Sequence, residues 1–199
     1  MPNYATLAQV KSALRITDQI DDNLLNTAIG AASRWVDAYC DRSFTSGTAV
    51  REYVPTGRMD PLIIDDLASD AFVKIDIDED LDRTFSTTLR PIDFQLEPVN
   101  NRAAGQDGWP YTRIRPQEEG YWPVALERRA TVRVEGVFGW NEVPDAVREA
   151  TILQASRLFT RLDSPLGVAG FGDMGAMRVS FKGDPDVIML LAPFRRTRF

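Results

Sequence analysis

The spacing of apolar residues changes twice along this chain. Near the N-terminus, apolar residues recur every three or four positions, which is the spacing of an amphipathic helix. The segment TLAQVKSAL predicts a short helix with Thr6 as its N-cap and Gln9 completing a capping box. A longer helix is predicted from about Asp22 to Cys40, with Cys40 on its core-facing stripe. Trp35 is also expected in the core, since the apolar positions are Leu24, Leu25, Ala28, Ile29, Ala32, Trp35, Val36 and Tyr39.

Between Thr48 and Trp140 the spacing becomes that of short strands. The candidate strands are TAVREYV, LIID, FVKIDID, FQLEP, YTRIR and ATVRVEGVFGW. Because turn residues and no helix divide them, we expect antiparallel connections. Val132, Val134 and Val137 predict one inward face, with a bulge at Gly136.

Helical spacing returns in VPDAVREATILQASRLFTRLD, where Pro144 suits the first turn. GDPDVIMLLAPF predicts a short last helix with Asp184 as its cap and Pro185 at its first position. The sequence therefore predicts an α+β fold: a helical bundle from residues 1–45 and 141–199, with an antiparallel β domain inserted at residues 46–140.

Composition narrows the possible functions. The chain has no histidine, which removes Ser-His-Asp and Cys-His catalysis and most zinc sites. The net charge of −6 disfavours a general nucleic-acid binder. No apolar run reaches the ~18 residues of a membrane span, and we see no signal-peptide pattern. Arginines outnumber lysines, which suits bidentate pairs at interfaces but also fits codon bias.

Three motifs suggest ligands, and each has a simpler interpretation. GFGDMG, residues 170–175, has the glycine spacing of a dinucleotide-binding turn, but it follows a predicted helix and precedes a predicted strand, AMRVSF. The carboxylates of Asp76, Asp78, Asp80 and Asp82 resemble a calcium loop that lacks its glycine and its final glutamate. A solvated, negatively charged face is the simpler interpretation. The aromatic residues Trp109, Tyr111, Tyr121, Trp122, Phe138 and Trp140 could stack bases or sugars, but core packing is favoured.

The C-terminal third carries the most specific signal. The segments LFTRLDSP, GVAGFGDMGAMRVS and DPDVIMLLAPFRR together resemble the head-tail connector (adaptor) proteins of tailed bacteriophages and related gene transfer agents. The opening segment, residues 4 to 42, is also similar to this family, and residues 137 to 196 extend the resemblance. The β region resembles the family only in DFQLEP and VEGVFGW.

The resemblance implies a structural virion protein without catalytic activity or cofactor. It would form a ring of about a dozen copies in the particle neck, assembled in the bacterial host cytoplasm. The implied partners are a portal protein on one side and a tail-completion or stopper protein on the other, with DNA passing through the centre. A tail-completion or stopper protein, and a metal-dependent enzyme that uses the Asp76–Asp82 cluster, remain the alternatives.

Two sets of interface residues are expected, the first implied by the resemblance and the second by the conformational freedom of glycine. Portal binding is expected of the C-terminal segment, at Pro193, Phe194, Arg195, Arg196, Arg198 and Phe199. Phe194 stands where many members have tyrosine. Contacts between subunits are expected of the glycine loop, at Gly167, Gly170, Phe171, Gly172 and Gly175. We expect residues 193–199 to lie outside the helical bundle and to be mobile before assembly.

Overall fold

The chain forms two compact units in the computed structural model, which describes residues 2–117, 120–161 and 184–196. One unit comprises Met1–Arg42 and Val143–Phe199, and the other comprises Ser43–Glu142. We call them the helical unit and the β unit. That each of them folds as an independent domain, with boundaries at 45/46 and 140/141, stays a prediction.

Four α-helices form the described part of the helical unit. Helix α1 spans Leu7–Leu14, α2 spans Asp22–Cys40, α3 spans Asp145–Thr160 and α4 spans Pro185–Leu191. A 3-10 turn, Ala192–Phe194, follows α4. Helix α3 contacts α1, α2 and α4. Their description as a bundle stays a prediction.

The predicted helix caps are confirmed where the structure describes them. The Thr6 side chain accepts a hydrogen bond from the Gln9 N–H, and the Gln9 side chain accepts one from the Thr6 N–H, which completes the capping box. At α4, the Asp184 carboxylate accepts a hydrogen bond from the Asp186 N–H at 2.9 Å, with Pro185 at the first position. Local sequence therefore defines where these helices begin.

The core of the helical unit corrects the prediction for Trp35. Val10, Leu25, Ile29, Ala32 and Ala155 are buried together, and Cys40 is fully buried as predicted. Trp35 is only half-buried. At about 100° of rotation per residue, Trp35 lies at the edge of the arc that carries the buried Leu25 and Val36, so its side chain is only partly covered.

The β unit is built on a curled, seven-stranded antiparallel sheet. The strands are β1 Gly47–Tyr53, β2 Leu62–Leu67, β3 Lys74–Ile77, β4 Thr87–Thr88, β5 Phe94–Glu97, β6 Arg102–Ala103, β7 Gln106–Asp107, β8 Tyr111–Pro116 and β9 Val132–Phe138. The order is β4-β3-β9-β2-β8-β5, β1 pairs with β9, and β6 and β7 form a separate hairpin. Helices and sheet together confirm the α+β class.

Strand β9 lies at the centre of this sheet and corrects another prediction. Its buried positions alternate from Val132 through Val134 and Gly136 to Phe138, so Val137 is not on the inward face. The pairing of β9 with β1 continues through Gly136 without a bulge. The irregularity lies instead in β2, between Ile63 and Leu67. Packing around Gly136 is close, because a Cβ atom there would lie 2.8 Å from Leu67 Cδ1 and 3.3 Å from the Phe72 carbonyl oxygen.

Five of the six aromatic candidates of the β unit are buried, as the simpler interpretation predicted, whereas Tyr121 is only half-buried. Trp122 is fully buried, and its Nε1–H donates to the Asp60 carbonyl at 2.9 Å. Trp140 is buried, lies 5.0 Å from Trp109 between ring centroids, and donates to the Asp66 carboxylate at 2.9 Å. Buried indole N–H groups usually find such partners. These rings are therefore not available to stack bases or sugars.

Within the described residues, no helix has the length and apolar character needed to cross a bilayer.

Candidate assembly surface

The C-terminal segment is where the sequence predicted portal binding, and its described part packs on its own unit. Val187, Leu191 and Phe194 are all fully buried. Their spacing of four and three residues places them on one face of α4 and the following turn. The segment is therefore attached to the helical unit by an apolar stripe.

Polar contacts fix the two ends of this segment. The Arg157 guanidinium on α3 lies 3.7 Å from the Asp184 carboxylate at the start of α4. The Arg196 N–H donates to the Cys40 carbonyl at the end of α2, at 2.9 Å. The Arg195 guanidinium lies 5.6 Å from the centroid of the Tyr39 ring. The segment thus returns to the C-terminal end of α2.

The expectation that residues 193–199 form a tail outside the helical bundle is therefore wrong for residues 193–196, which pack on the helical unit. Phe194 is buried in its own unit and cannot fill an apolar pocket on a partner while it stays there. Pro193 and Arg195 are exposed, and Arg196 is half-buried. Arg198 and Phe199 lie outside the described residues, as do Gly167, Gly170, Phe171, Gly172 and Gly175 of the glycine loop.

Cys40 is inert in this setting. Burial raises the pKa of its thiol to about 12, and the nearby Asp37 carboxylate adds to the effect, while Arg42 opposes it. The reactive form of cysteine is the thiolate. Cys40 is therefore a core residue rather than a nucleophile at neutral pH.

The carboxylates at residues 76–82 are used by the protein itself. Asp78 is fully buried, lies 2.6 Å from Arg129 Nη1, and accepts the backbone N–H groups of Asp82 and Arg83 at 3.0 Å each. Burial alone would raise the pKa of Asp78, but these hydrogen bonds outweigh it and the pKa lies below its usual range. The expectation of one solvated face is wrong for Asp78.

Asp76 is held in the same way. It accepts Lys74 Nζ at 2.7 Å and the Thr88 hydroxyl at 2.5 Å, and its pKa is lowered although burial opposes the shift. Among the described residues, no three carboxylate or thiol groups are placed to hold one metal ion. Asp76 and Asp78 therefore have structural roles, because each carboxylate binds groups of the protein itself.

An open groove of about 690 Å³ lies in the β unit beside strand β5. Its lining is mixed, with Phe94, Leu96 and Val99 against amides of Gln95 and Asn100. Asp70, the carboxylate in this lining, accepts the Tyr111 hydroxyl at 3.2 Å.

Comparisons with known proteins agree with the resemblance seen in the sequence. The family described as "Phage gp6-like head-tail connector protein" matches residues 4–88. This confirms the resemblance to the head-tail connector family. None of the curated proteins compared with this chain matches it.

Two solved structures share the fold over almost the whole chain. A chain in the "neck of empty GTA particle computed with C6 symmetry" is 18% identical, with a TM-score of 0.53, over 97% of this chain and 90% of that chain. A chain in the "virion of native gene transfer agent (GTA) particle" is 17% identical, with a TM-score of 0.50, over 97% and 90%. The shared fold thus includes both units.

Proposed function

We propose that this protein is a structural component of a virion or gene-transfer-agent neck. Its role is that of a head-tail adaptor, which forms a ring between a portal protein and the tail-completion proteins. DNA passes through the centre of the ring. The match of residues 4–88 to the head-tail connector family carries this proposal. The fold shared with a neck chain over 97% of the sequence supports it.

The physical character of the chain is consistent with a passage for DNA. The net charge is −6, and phosphate affinity is mainly electrostatic, so the protein does not hold its cargo tightly. In this proposal the protein is not an enzyme and needs no cofactor. A metal-dependent enzyme would use Asp76, Asp78 and Asp80, and the first two of these are occupied by Lys74, Thr88 and Arg129.

Portal contact is proposed for the C-terminal segment. The predicted set is Pro193, Phe194, Arg195, Arg196, Arg198 and Phe199. Since Phe194 is buried, its proposed role is to hold the segment in place. Arginines can form bidentate pairs with carboxylates of the portal. The glycine loop, at Gly167, Gly170, Phe171, Gly172 and Gly175, is proposed to lie between neighbouring subunits of a ring of twelve.

Two truncations separate docking from folding. A chain ending at Arg196 keeps Phe194, so we expect its melting temperature to match the parent and its binding to a portal ring to fall sharply. A chain ending at Ala192 loses Phe194 as well, and removing a buried aromatic costs about 3–5 kcal/mol. Unimpaired portal binding by the chain that ends at Arg196 would move the docking site to another surface.

Deletion of the gene tests the adaptor position itself. Particles made without an adaptor should contain filled or emptied heads and separate tails, with no joined particles in electron micrographs. A stopper acts further from the portal, so its loss leaves the adaptor ring on the head. Heads that retain this chain when the tail-completion proteins are removed, and lose it when the portal is removed, support the adaptor position.

A further inference from the structure

Helix α2 carries a second apolar stripe, which is partly exposed. The core-facing residues include Leu25, Ile29 and Val36. On the neighbouring arc, Leu24 is 48% exposed, Ala31 and Ala38 are exposed, and Trp35 is half-buried. We call Leu24, Ala31, Trp35 and Ala38 the α2 stripe; their spacing of seven, four and three residues places them on one helix face.

The guanidinium of Arg195 lies near the C-terminal end of this stripe. The Trp35 ring stacks on Tyr39, with centroids 5.3 Å apart and planes at 9°. The Arg195 guanidinium lies over the same Tyr39 ring. Within the described part of the chain, Arg195 forms no ion pair. The stripe is therefore an apolar strip that ends in an exposed positive charge.

A second surface of the same unit has the complementary character. On α3, Leu153 is 37% exposed and Glu149 is exposed; on α4, Met189 is 69% exposed and Asp186 is exposed. Neither carboxylate forms an ion pair with another described residue. Helices α3 and α4 pack on each other. Glu149 and Leu153 are four residues apart on α3, and Asp186 and Met189 are three apart on α4, so each pair shares one helix face. We call these four residues the acidic surface.

We infer that the α2 stripe of one copy docks on the acidic surface of the next copy. The contact is heterologous, because two different surfaces of the same chain meet, and repeated contacts of this kind form a ring when the rotation between copies closes. Ala31 and Ala38 let a neighbouring helix approach closely, while Leu24 and Trp35 supply the apolar area. Arg195 then faces Glu149 and Asp186. The ring rests on the proposed function, whereas the contact can be tested on the protein alone.

This contact changes the role proposed for Arg195. Arg195 is one of the residues proposed above for portal docking, but here it belongs to the contact between copies. Pro193, Arg196, Arg198 and Phe199 remain for the portal. A charge reversal at Arg195 should accordingly weaken self-association more than it weakens the binding of a single copy to the portal.

Cysteine cross-linking tests which surfaces meet. One chain carries Ala31→Cys and a second, isotopically labelled chain carries Met189→Cys; the buried Cys40 stays in both. After oxidation of a concentrated mixture, we expect a disulfide-linked dimer that contains one light and one heavy chain. Ala8→Cys, at an exposed alanine of α1, replaces Ala31→Cys in the control and should give at least tenfold less product. A light-light dimer, or no dimer above the control, overturns the inference.

A charge swap tests the electrostatic part. We expect Arg195→Glu to weaken self-association by about tenfold in sedimentation velocity, and Arg195→Glu with Asp186→Arg to restore it. Failure of the double variant to recover, with thermal melts that match the parent, contradicts the pairing. A protein that forms the cross-link but never binds a portal ring contradicts the proposed function and leaves this inference standing.

Discussion

The two units of this protein maintain their folds by different means. The described core of the helical unit is assembled from apolar stripes such as Val10, Leu25 and Ile29. The β unit also buries the carboxylates of Asp66, Asp76, Asp78 and Asp93. Each of the last three has a nearby cation: Lys74, Arg129 or Arg90. The helical unit should therefore tolerate apolar exchanges, while the β unit depends on specific partners.

The largest effect is expected at a glycine of the β unit. Gly139 has φ +110°, and a Cβ atom there would lie 1.9 Å from the Thr45 carbonyl oxygen. We expect Gly139→Ala to cost more than about 3 kcal/mol, because backbone strain and a clash add. Gly47→Ala is the control, since nothing lies within 4 Å of its Cβ position. Urea unfolding of both variants measures the difference; equal midpoints would show that the close approach at Gly139 is wrong.

A pair of tryptophans compares the units directly. Trp122→Ala removes a fully buried ring and should cost about 3–5 kcal/mol. Trp35→Ala removes a half-buried ring and should cost about 1–2 kcal/mol, since less apolar area returns to water. Chemical denaturation gives both values. A Trp35 cost equal to that of Trp122 would place Trp35 in the core after all.

The buried ion pair of the β unit gives the next effect. Arg129→Met leaves the buried Asp78 carboxylate without its cation, which typically costs about 3 kcal/mol or more at neutral pH. Arg102→Met is the control, because Arg102 and Asp107 are both exposed and lie 3.6 Å apart. An exposed pair of this kind contributes about 0–1 kcal/mol. Similar losses in the two variants would contradict the structural role of Asp78.

Acid should destabilise the β unit before it destabilises the helical unit. The lowered pKa of Asp78 means that its contribution to stability is present above about pH 4, the unfolded value. It is lost as pH falls through the lower folded value. In the helical unit, burial raises the pKa of Asp37, so its contribution is present at low pH and is lost as pH rises through the raised value. Protection factors from hydrogen exchange between pH 6 and 3 should therefore fall first in the β unit.

The control for the acid prediction is a neighbouring carboxylate. Asp78→Asn should flatten the pH dependence of the β unit, whereas Asp80→Asn, at an exposed position, should leave it unchanged. If protection is lost first in α2 and α3, the predicted order of acid unfolding is wrong.

Sequence spacing predicted the described helices and the six longer strands, but not the two-residue strands β4, β6 and β7 and not all burial. The bounds of α2, Asp22–Cys40, follow from one continuous apolar stripe. That stripe spans a wide arc, however, so it could not show that Trp35 lies at its edge. The burial of Asp78 depends on Arg129, which is 51 residues away, and no local pattern shows that contact.

The C-terminal segment contained a signal that the sequence analysis missed. Val187, Leu191 and Phe194 continue a helical spacing through APF, which indicates a buried stripe rather than a free tail. The three arginines near the C-terminus favoured the prediction of a charged tail instead. The family resemblance came from the sequence of residues 4–42 and the C-terminal third, and the family match covers residues 4–88.

The most direct test of the adaptor role is an image of the assembled particle. Cryo-electron microscopy of the neck, at a resolution that shows helices, should reveal density for this chain as a ring directly against the portal, with both units of each copy visible. The account predicts twelve copies and a central passage. Density for this chain in the capsid shell, in the tail tube, or separated from the portal by another ring would contradict it.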